Sequence, residues 1–444
     1  MRKIACLLLL ASTTLACATA EGPGSLTPSY NAMVDVDLFL STDDPAMEQQ
    51  VLERLQSNNI TASTVKSLLK ATLHKNNGAP VGLQPDQKIK MNGKTYSYAL
   101  HVPASASPRM PMIVVMHGMG GSGANTIRAW VKRLGEKFVI LCPTYPMGAW
   151  WSKNAEDFVL KLIDETRAAY PVDPNRIFLA GLSNGAIGAY LIGMFYPDRF
   201  AGIVPIAGSI TERYMHFLVN LNNTPAYLIQ GEFDPIFPIA TTRRVHKILT
   251  DMKSPVVYRE HQEQGTAHGG HFLPESEVPA LVQWMKKQKR NPSPKVVRMT
   301  REANHMGRIF WVGVTRGVKL AALQIPGPEM EPLNIHDGKI ATLFAIDHGN
   351  NRFEAMGKNV LEIEMYLSTD RVDFDQPVIV TFQEILDQGK QLIPGEKIVA
   401  FHQKVEKNMA VLLGGFKKFR DPDFLFDAKI TISTQKAVDF AALP

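Results

Sequence analysis

The six residues GLSNGA at positions 181–186 match the pattern Gly-x-Ser-x-Gly and separate two apolar segments of the chain. The segment RIFLA (176–180) predicts a buried strand, and the segment IGAYLI (187–192) predicts a buried helix. A strand that turns sharply into a helix at this pattern exposes its serine, because the glycines leave room for the tight turn. The pattern alone arises by chance about once in seven or eight chains of this length. Its position between a strand and a helix is therefore what favours Ser183 as a nucleophile.

The residues around this turn alternate between short apolar strands and helical segments. The pair Asn92-Gly93 lies between two extended segments, which is the strongest short signal for a β-hairpin. Further strands are expected at 112–116, 138–142, 177–181, 202–206, 226–230 and 256–260. This alternation predicts an α/β fold with a mostly parallel sheet and helices on both faces, which the leading hairpin makes mixed.

The 444 residues suffice for about two or three domains, and changes of pattern suggest where they divide. Residues 85–291 carry the alternation, and the charged, proline-bearing segment KKQKRNPSPK (286–295) predicts a boundary near residue 292. Residues 295–444 show short strands separated by Gly, Asp and Pro, which is typical of an all-β, sandwich-like domain. Residues 21–84 are expected to form a linker and a short helical extension, with two helices between 44 and 73 that pack on their own domain.

The first 20 residues, MRKIACLLLLASTTLACATA, have the basic start, apolar centre and small-residue end of a secretory signal. The apolar run is shorter than the roughly 18 to 20 residues that span a bilayer, so we expect export to the periplasm or the extracellular space. The segment Thr14-Leu15-Ala16-Cys17 also resembles a bacterial lipoprotein box, which leaves lipidation of Cys17 and association with the cell envelope open. Of the three cysteines only Cys142 lies in the expected folded part, so no disulfide framework is expected.

The composition narrows the class of protein further. The apolar content of 45% is that of a globular protein, and the formal charge of +6 is spread over a long chain. No nucleic-acid-binding motif accompanies this charge, so we expect no nucleic-acid partner. The oligomeric state is left open.

A nucleophilic serine needs a base to take its proton and a carboxylate to orient the base. The segment QGEFDPIFP (230–238) places Asp234 just after a predicted strand, with Glu232 as its nearest rival. The segment GTAHGGHF (265–272) places His268 and His271 in a later loop. We favour His271, which follows two glycines and precedes an apolar segment, and keep His268 as the alternative base. The order Ser, Asp, His is that of α/β-hydrolases.

Acyl transfer also requires donors for the negative oxygen of the tetrahedral intermediate. The segment VVMHGMGGSG (114–123) joins a predicted strand to a glycine-rich loop that offers backbone N–H groups. The N–H groups of Met119 and Asn184 are the predicted pair. A phosphate-binding loop is the rival interpretation, but the terminal Gly-Lys-Ser/Thr of such loops is absent from this segment.

The loop HGMGGSG, the turn GLSNGA and the segments GEFDPIFP and GGHFLP together resemble the α/β-hydrolase superfamily over residues 87–290. Within it, the chain is similar to secreted esterases related to polyhydroxybutyrate depolymerases and feruloyl esterases. The resemblance implies a serine esterase that forms an acyl-enzyme and needs neither a metal nor an organic cofactor. The segment LSTDRVDFDQPVIV (367–380) is similar to β-domains attached to some bacterial exported esterases, which implies no established role.

Three further interpretations concern the substrate pocket, a metal site and the alternative functions of the protein. Trp150 and Trp151 follow a predicted strand and would form an aromatic wall of the substrate pocket, or else anchor a helix start in the core. The acidic residues Asp370, Asp373 and Asp375 lack a calcium-loop signature, so we expect solvated charges and no metal site. The alternative functions are a serine peptidase of the prolyl-oligopeptidase type and an inactive protein that binds a polymer or the cell wall.

Overall fold

A computed structural model describes residues 30–72, 78–104, 109–265, 269–323, 340–388 and 391–435. The predicted signal segment, Cys17 and the alternative base His268 lie outside these residues. Within the described ranges, no helix combines the length and the apolar character needed to cross a membrane. No group of three or more His, Cys, Asp or Glu side chains is arranged there to hold a metal ion.

The chain begins with three helices, α1 (Ala32–Ser41), α2 (Pro45–Ser57) and α3 (Ala62–Thr72). Asp44 caps α2 as its side chain accepts from the N–H of Ala46, and Pro45 occupies the first helical position. The prediction for this region contained two helices, which correspond to α2 and α3, and it missed α1. The stretch AMVDVDLFLS of α1 is apolar on most sides, so it lacks the clear stripe on which a helical prediction depends.

The central sheet has eight strands in the order β1-β2-β4-β3-β5-β6-β7-β8. The strands are β1 (Gly82–Met91), β2 (Lys94–Val102), β3 (Met110–Met116), β4 (Val139–Pro143), β5 (Val172–Leu182), β6 (Gly202–Ile206), β7 (Ala226–Gly231) and β8 (Val256–His261). Strand β2 is antiparallel to both β1 and β4, and all other pairs are parallel. This confirms the predicted hairpin and the mostly parallel sheet.

Helices cover both faces of this sheet. They are α4 (Gly123–Leu134), α5 (Lys153–Ala169), α6 (Asn184–Phe195), α7 (Glu212–Met215), α8 (Ile239–Asp251) and α9 (Val278–Lys287). Successive residues of β3 point to opposite sides, so Ile113 and Val115 pack with α4 and α9 while Met112 and Val114 pack with α5 and α6. Both faces of the sheet are thus apolar, which is why its strands appear as continuous apolar runs.

The chain after α9 forms two further sheets that share one apolar core. Its elements are β9 (Val296–Arg301), β10 (Gly307–Ile309), β11 (Val312–Arg316), β12 (Ala341–Gly349), β13 (Arg352–Lys358), β14 (Glu362–Leu367), β15 (Val378–Gln388), β16 (Gln391–Gln403), α10 (Met409–Phe419) and β17 (Ala428–Ser433). The sheet orders are β10-β11-β14-β17 and β16-β15-β13-β12-β9. Side chains of both sheets, among them Ile363 and Val380, belong to the same buried cluster. The sheets fit the predicted sandwich-like domain, and the predicted boundary near residue 292 falls between α9 and β9.

Helix α10 lies between β16 and β17 and was not predicted. Its sequence MAVLLGGFKKF contains two adjacent glycines, which weaken intrinsic helix propensity. Tertiary packing stabilises it instead, because Leu412, Leu413 and Phe416 form one buried cluster with apolar residues of α1, α2 and α3. The amino-terminal helices therefore pack on α10. Lys66 of α3 adds an ion pair to Asp427 at 2.6 Å.

A buried arginine joins the carboxyl-terminal region to the central-sheet region. Arg290 donates to both oxygens of Asp421, at 2.7 and 3.1 Å, to Asn175 Oδ1 at 2.8 Å and to the carbonyl of Asp198 at 2.7 Å. Burial by itself would raise the pKa of Asp421, but the charges of Arg290 and Arg167 lower it to about 2. The carboxylate consequently stays charged in a fully buried position.

Replacing Arg290 with methionine is expected to lower the free energy of unfolding by about 3–5 kcal/mol, because the buried, charged Asp421 would lose both hydrogen bonds from Arg290. Urea denaturation followed by circular dichroism measures the change. The matched control is the double variant Arg290→Met/Asp421→Leu, which removes both charges and should recover most of the loss. An unchanged denaturation midpoint for Arg290→Met would contradict this account of the contact.

Candidate active site

Ser183 lies in the sharp turn between β5 and α6, at the carboxyl edge of the central sheet. Its backbone has φ +59° and ψ −121°, a strained conformation for a residue with a side chain. A Cβ atom on Gly181 would lie 2.0 Å from the carbonyl oxygen of Gly185, and one on Gly185 would lie 2.2 Å from that of Met116. Both contacts involve backbone, so only glycine fits at either position. The structure thus has the strand-to-helix turn that the pattern predicted.

Asp234 follows β7, and its side chain is fully buried. Its Oδ1 accepts from the N–H groups of Ile236, at 2.8 Å, and Phe237, at 3.0 Å. Its Oδ2 accepts from Gln230 Nε2 at 2.8 Å and faces His271 Nδ1 at 2.9 Å. The rival acid, Glu232, accepts instead from Gln262. The carboxylate is therefore saturated with donors and held against one histidine.

The contact with Asp234 fixes both the tautomer and the orientation of His271. A carboxylate only accepts, so Nδ1 carries the proton and Nε2 is left as an acceptor. The ring of Phe237 stacks on the imidazole, with centroids 5.9 Å apart and planes 7° apart. These contacts hold the ring of His271 in one orientation and leave its Nε2 as an acceptor.

Two glycines allow the loop of His271 to approach the turn of Asp234. A Cβ atom on Gly269, which has φ +56°, would lie 2.6 Å from the carbonyl oxygen of Phe233, and one on Gly270 would lie 3.0 Å from Gly231 Cα. The N–H of Gly270 donates to the Phe233 carbonyl at 3.3 Å. The Gly269-Gly270 pair, on which the choice of His271 rested, thus has a steric role in this approach.

The structure brings Asp234 and His271 into contact and places Ser183 at the same sheet edge, because β5 and β7 are separated only by β6. Among the described residues, no hydrogen bond joins the Ser183 hydroxyl to His271. Hydrogen bonds of this kind are often long in structures without substrate and shorten when substrate binds.

The glycine-rich loop after β3 passes beside the serine. A Cβ atom on Gly118 would lie 3.2 Å from Ser183 Cβ and 3.7 Å from Ser183 Oγ. The N–H of Gly121 closes a turn on the Gly118 carbonyl at 3.2 Å, with Met119 at its tip. Within the part of the chain that the structure describes, the N–H groups of Met119 and Asn184 donate to no other group. Asn184 is the first residue of α6, where helix geometry leaves the N–H without an internal partner.

His117 holds this loop in place, a role that the sequence analysis did not assign. The N–H of Tyr145 donates to His117 Nε2 at 3.1 Å, so the proton is on Nδ1, which lies 2.6 Å from the Gly118 carbonyl. Burial lowers the pKa of His117, although its hydrogen bond to Gly118 opposes the shift. The ring is therefore neutral and fixes the Gly118 carbonyl. A histidine between a strand and a glycine was the only signal of this role in the sequence.

Trp150 does not form a pocket wall. Its side chain is 0% exposed, and its Nε1 donates to the His117 carbonyl at 2.8 Å. A Cβ atom on Gly188 of α6 would lie 2.5 Å from Trp150 Cβ, so the indole is packed tightly between the loop and the helix. The interpretation as a core anchor is therefore correct for Trp150. Trp151 is 40% exposed and remains accessible to a ligand.

Exposed apolar side chains surround the sheet edge at Ser183. They follow β3, β4 and β7, and they are Met119, Met147, Trp151, Phe233 and Ile236. Loops at the carboxyl ends of parallel strands are where such sheets bind ligands. Apolar side chains exposed together in this place favour a neutral, apolar substrate over a charged one.

Comparisons with known proteins agree with the fold. Residues 151–288 match the Phospholipase/Carboxylesterase family. The chain is similar to poly(3-hydroxyalkanoate) depolymerase C of Paucimonas lemoignei, at 28% identity over 28% of this chain and 36% of the relative. It is also similar to acyl-protein thioesterase 1 of Eremothecium gossypii, at 25% identity over 34% of this chain and 77% of the relative. The chain thus spans only about a third of the depolymerase.

Among solved structures, a thermostable esterase aligns with 46% of this chain and 63% of its own, at 23% identity and a TM-score of 0.39. The central sheet, with its strand order and its turn at Ser183, and the match to the Phospholipase/Carboxylesterase family together place this part of the chain in the α/β-hydrolase superfamily. The predicted superfamily is confirmed.

Proposed function

We propose that this protein is an exported serine hydrolase that cleaves carboxylic esters through an acyl-enzyme. The observation that carries the proposal is the 2.9 Å contact between His271 Nδ1 and the buried, donor-saturated Asp234, at the sheet edge where the strained turn presents Ser183. The relatives, named a depolymerase and a thioesterase, support a hydrolase of this kind. Export rests on the signal-like residues 1–20, and envelope association would follow if Cys17 carries a lipid.

In the first half of the reaction, Ser183 Oγ attacks the ester carbonyl while His271 Nε2 takes the hydroxyl proton. The negative oxygen of the tetrahedral intermediate accepts from the N–H groups of Met119 and Asn184. Asp234 stays ionised and stabilises the imidazolium that forms. The intermediate collapses when His271 gives the proton to the departing alcohol oxygen, which leaves the acyl group on Ser183.

In the second half, a water molecule replaces the alcohol. His271 Nε2 takes a proton from this water, whose oxygen attacks the acyl carbonyl through a second tetrahedral intermediate. The proton then returns to Ser183 Oγ and the carboxylic acid leaves. Apart from the ester and this water molecule, every step uses only side chains and backbone groups of this chain.

Chromogenic esters distinguish the proposal from a peptidase. The purified chain is expected to hydrolyse p-nitrophenyl acetate with a kcat/KM at least about 100-fold above that for a peptidyl-proline p-nitroanilide. The exposed side chains around Ser183 are apolar, so they offer a charged peptide few polar partners. A larger kcat/KM for the anilide would support the prolyl-oligopeptidase type instead, and hydrolysis of neither substrate would support an inactive binding protein.

A further inference from the structure

A groove of about 550 Å³ lies between α4 and the segment 272–276, beside the candidate active site. Its wall includes Gly118 from the loop after β3, Leu182, which directly precedes Ser183, and Phe272, which directly follows His271. The segments of Met119, Ser183 and His271 thus contribute to the groove, whereas the segment of Asp234 is not part of its lining. A Cβ atom on Gly118 would lie only 3.7 Å from Ser183 Oγ, so the inner end of the groove adjoins the nucleophile.

The chemistry of the wall changes along the groove. At the inner end the lining residues include the buried apolar residues Val115, Met116 and Ile206 and the half-buried Leu182. His117 and Thr126 also line the groove, but both ring nitrogens of His117 and the hydroxyl of Thr126 are already hydrogen-bonded within the chain. The remaining apolar lining suits hydrocarbon. Burying hydrocarbon there removes it from water, which is the main source of affinity for an apolar group.

The outer end of the groove carries charges that are already engaged. Arg133 donates twice to Glu275 Oε1, at 2.7 and 2.9 Å, and Ser276 donates to Glu263. The hydrogen bond from Arg133 holds the pKa of the Glu275 carboxyl below its usual range, although partial burial opposes the shift. The two carboxylates near this end disfavour a chain that ends in a negative charge.

We propose that this groove binds a neutral hydrocarbon chain of the ester substrate and so selects esters with a chain of several carbons. The selection among esters rests on the proposed function. The binding of a hydrocarbon chain in the groove does not depend on that function. The chain is supplied by either the acyl or the alcohol part of the ester, since both flank the carbonyl that Ser183 attacks. The experiment below separates these two sources.

Ala129 offers a position at which the groove is narrowed without disturbing the core. It lines the groove from α4 and is exposed, so a larger side chain there displaces only solvent. Arg128 is the matched control, because it is exposed on the same helix, one residue away, and does not line the groove. Consecutive residues of an α-helix are rotated by about 100° about its axis, so the two side chains point in different directions.

The first measurement is kcat/KM for p-nitrophenyl acetate and octanoate, which lengthens the acyl part, and for ethyl and octyl acetate, which lengthens the alcohol part. For Ala129→Trp, the long-to-short ratio is expected to fall about tenfold in one series, as when roughly two methylene groups fail to bury. A fall in the ratio of octanoate to acetate shows that the groove binds the acyl chain. A fall in the ratio of octyl to ethyl acetate shows that it binds the alcohol chain. Arg128→Trp should leave both ratios unchanged. Unchanged ratios in both series for Ala129→Trp, or an equal fall for Arg128→Trp, would overturn the proposal.

The second measurement needs no catalysis. Calorimetry of 1-octanol with the full chain should show binding that weakens about tenfold in Ala129→Trp and less in Ala129→Leu. If no ester is hydrolysed but octanol binds in this way, the proposed function fails and the groove assignment stands. If esters are hydrolysed but octanol binds all variants equally, the groove assignment fails alone.

Discussion

Replacing Ser183 with alanine is expected to lower kcat for p-nitrophenyl acetate by about 10⁵- to 10⁶-fold. The nucleophile would be lost while its surroundings remain, because alanine has the same Cβ atom at the same strained backbone position. The Ser183 hydroxyl makes no hydrogen bond within the described residues, so the melting temperature should be unchanged. Steady-state kinetics and thermal unfolding of the same preparation test both expectations.

Ser209 provides the matched control for this substitution. It follows β6 close to the turn, where a Cβ atom on the preceding Gly208 would lie 2.8 Å from the Ser183 carbonyl oxygen. Its hydroxyl is buried and has no hydrogen-bond partner among the described residues. Ser209→Ala should therefore keep wild-type kcat. Retention of more than about a tenth of kcat by Ser183→Ala would be incompatible with an acyl-enzyme on that residue.

Replacing His271 with alanine is expected to lower kcat by about 10⁴- to 10⁶-fold. Without the imidazole, no group held by Asp234 remains to take the proton of Ser183. His268→Ala is the control from the same loop and should retain activity. The comparison uses p-nitrophenyl acetate for all three proteins. A loss confined to His268→Ala would transfer the role of base to that residue.

The acid is tested in the same series. Asp234→Asn keeps the shape of the side chain but places an amide against His271 Nδ1, which favours the wrong tautomer. A drop in kcat of about 10⁴-fold is expected from this change. Glu232→Gln should leave kcat unaffected, because Glu232 contacts Gln262 and not the histidine.

The parts of the fold that the sequence predicted are those with a local signal. Strands buried on both faces appear as apolar runs, and the turn at Ser183 requires glycine on both sides of the serine for steric reasons. The contact of Asp234 with His271 followed from chain order and from loops at strand ends. The strands and the turn have a local signal because each depends on residues close together in the chain. The contact between Asp234 and His271, which are 37 residues apart, was predicted from chain order instead.

Features that depend on distant residues were missed. Trp150 was assigned equally to a pocket or to the core, and only the buried carbonyl of His117 decides for the core. Helix α10 contains two glycines and is stabilised by α1, α2 and α3, which lie at the other end of the described chain. The role of His117 depends on the N–H of Tyr145, which approaches it from the next strand end. Contacts between residues this far apart in the chain leave no periodic pattern in the sequence from which they could be predicted.

The most direct test of the central claim is covalent labelling with a fluorophosphonate, which reacts with a serine only when a neighbouring base activates it. Mass spectrometry of the digested protein is expected to find the probe on the peptide that contains Ser183, with labelling lost in Ser183→Ala and in His271→Ala. Ser209→Ala should be labelled like the wild type. An unlabelled wild-type protein, or equal labelling of Ser183→Ala, would contradict the assignment of Ser183 as the nucleophile.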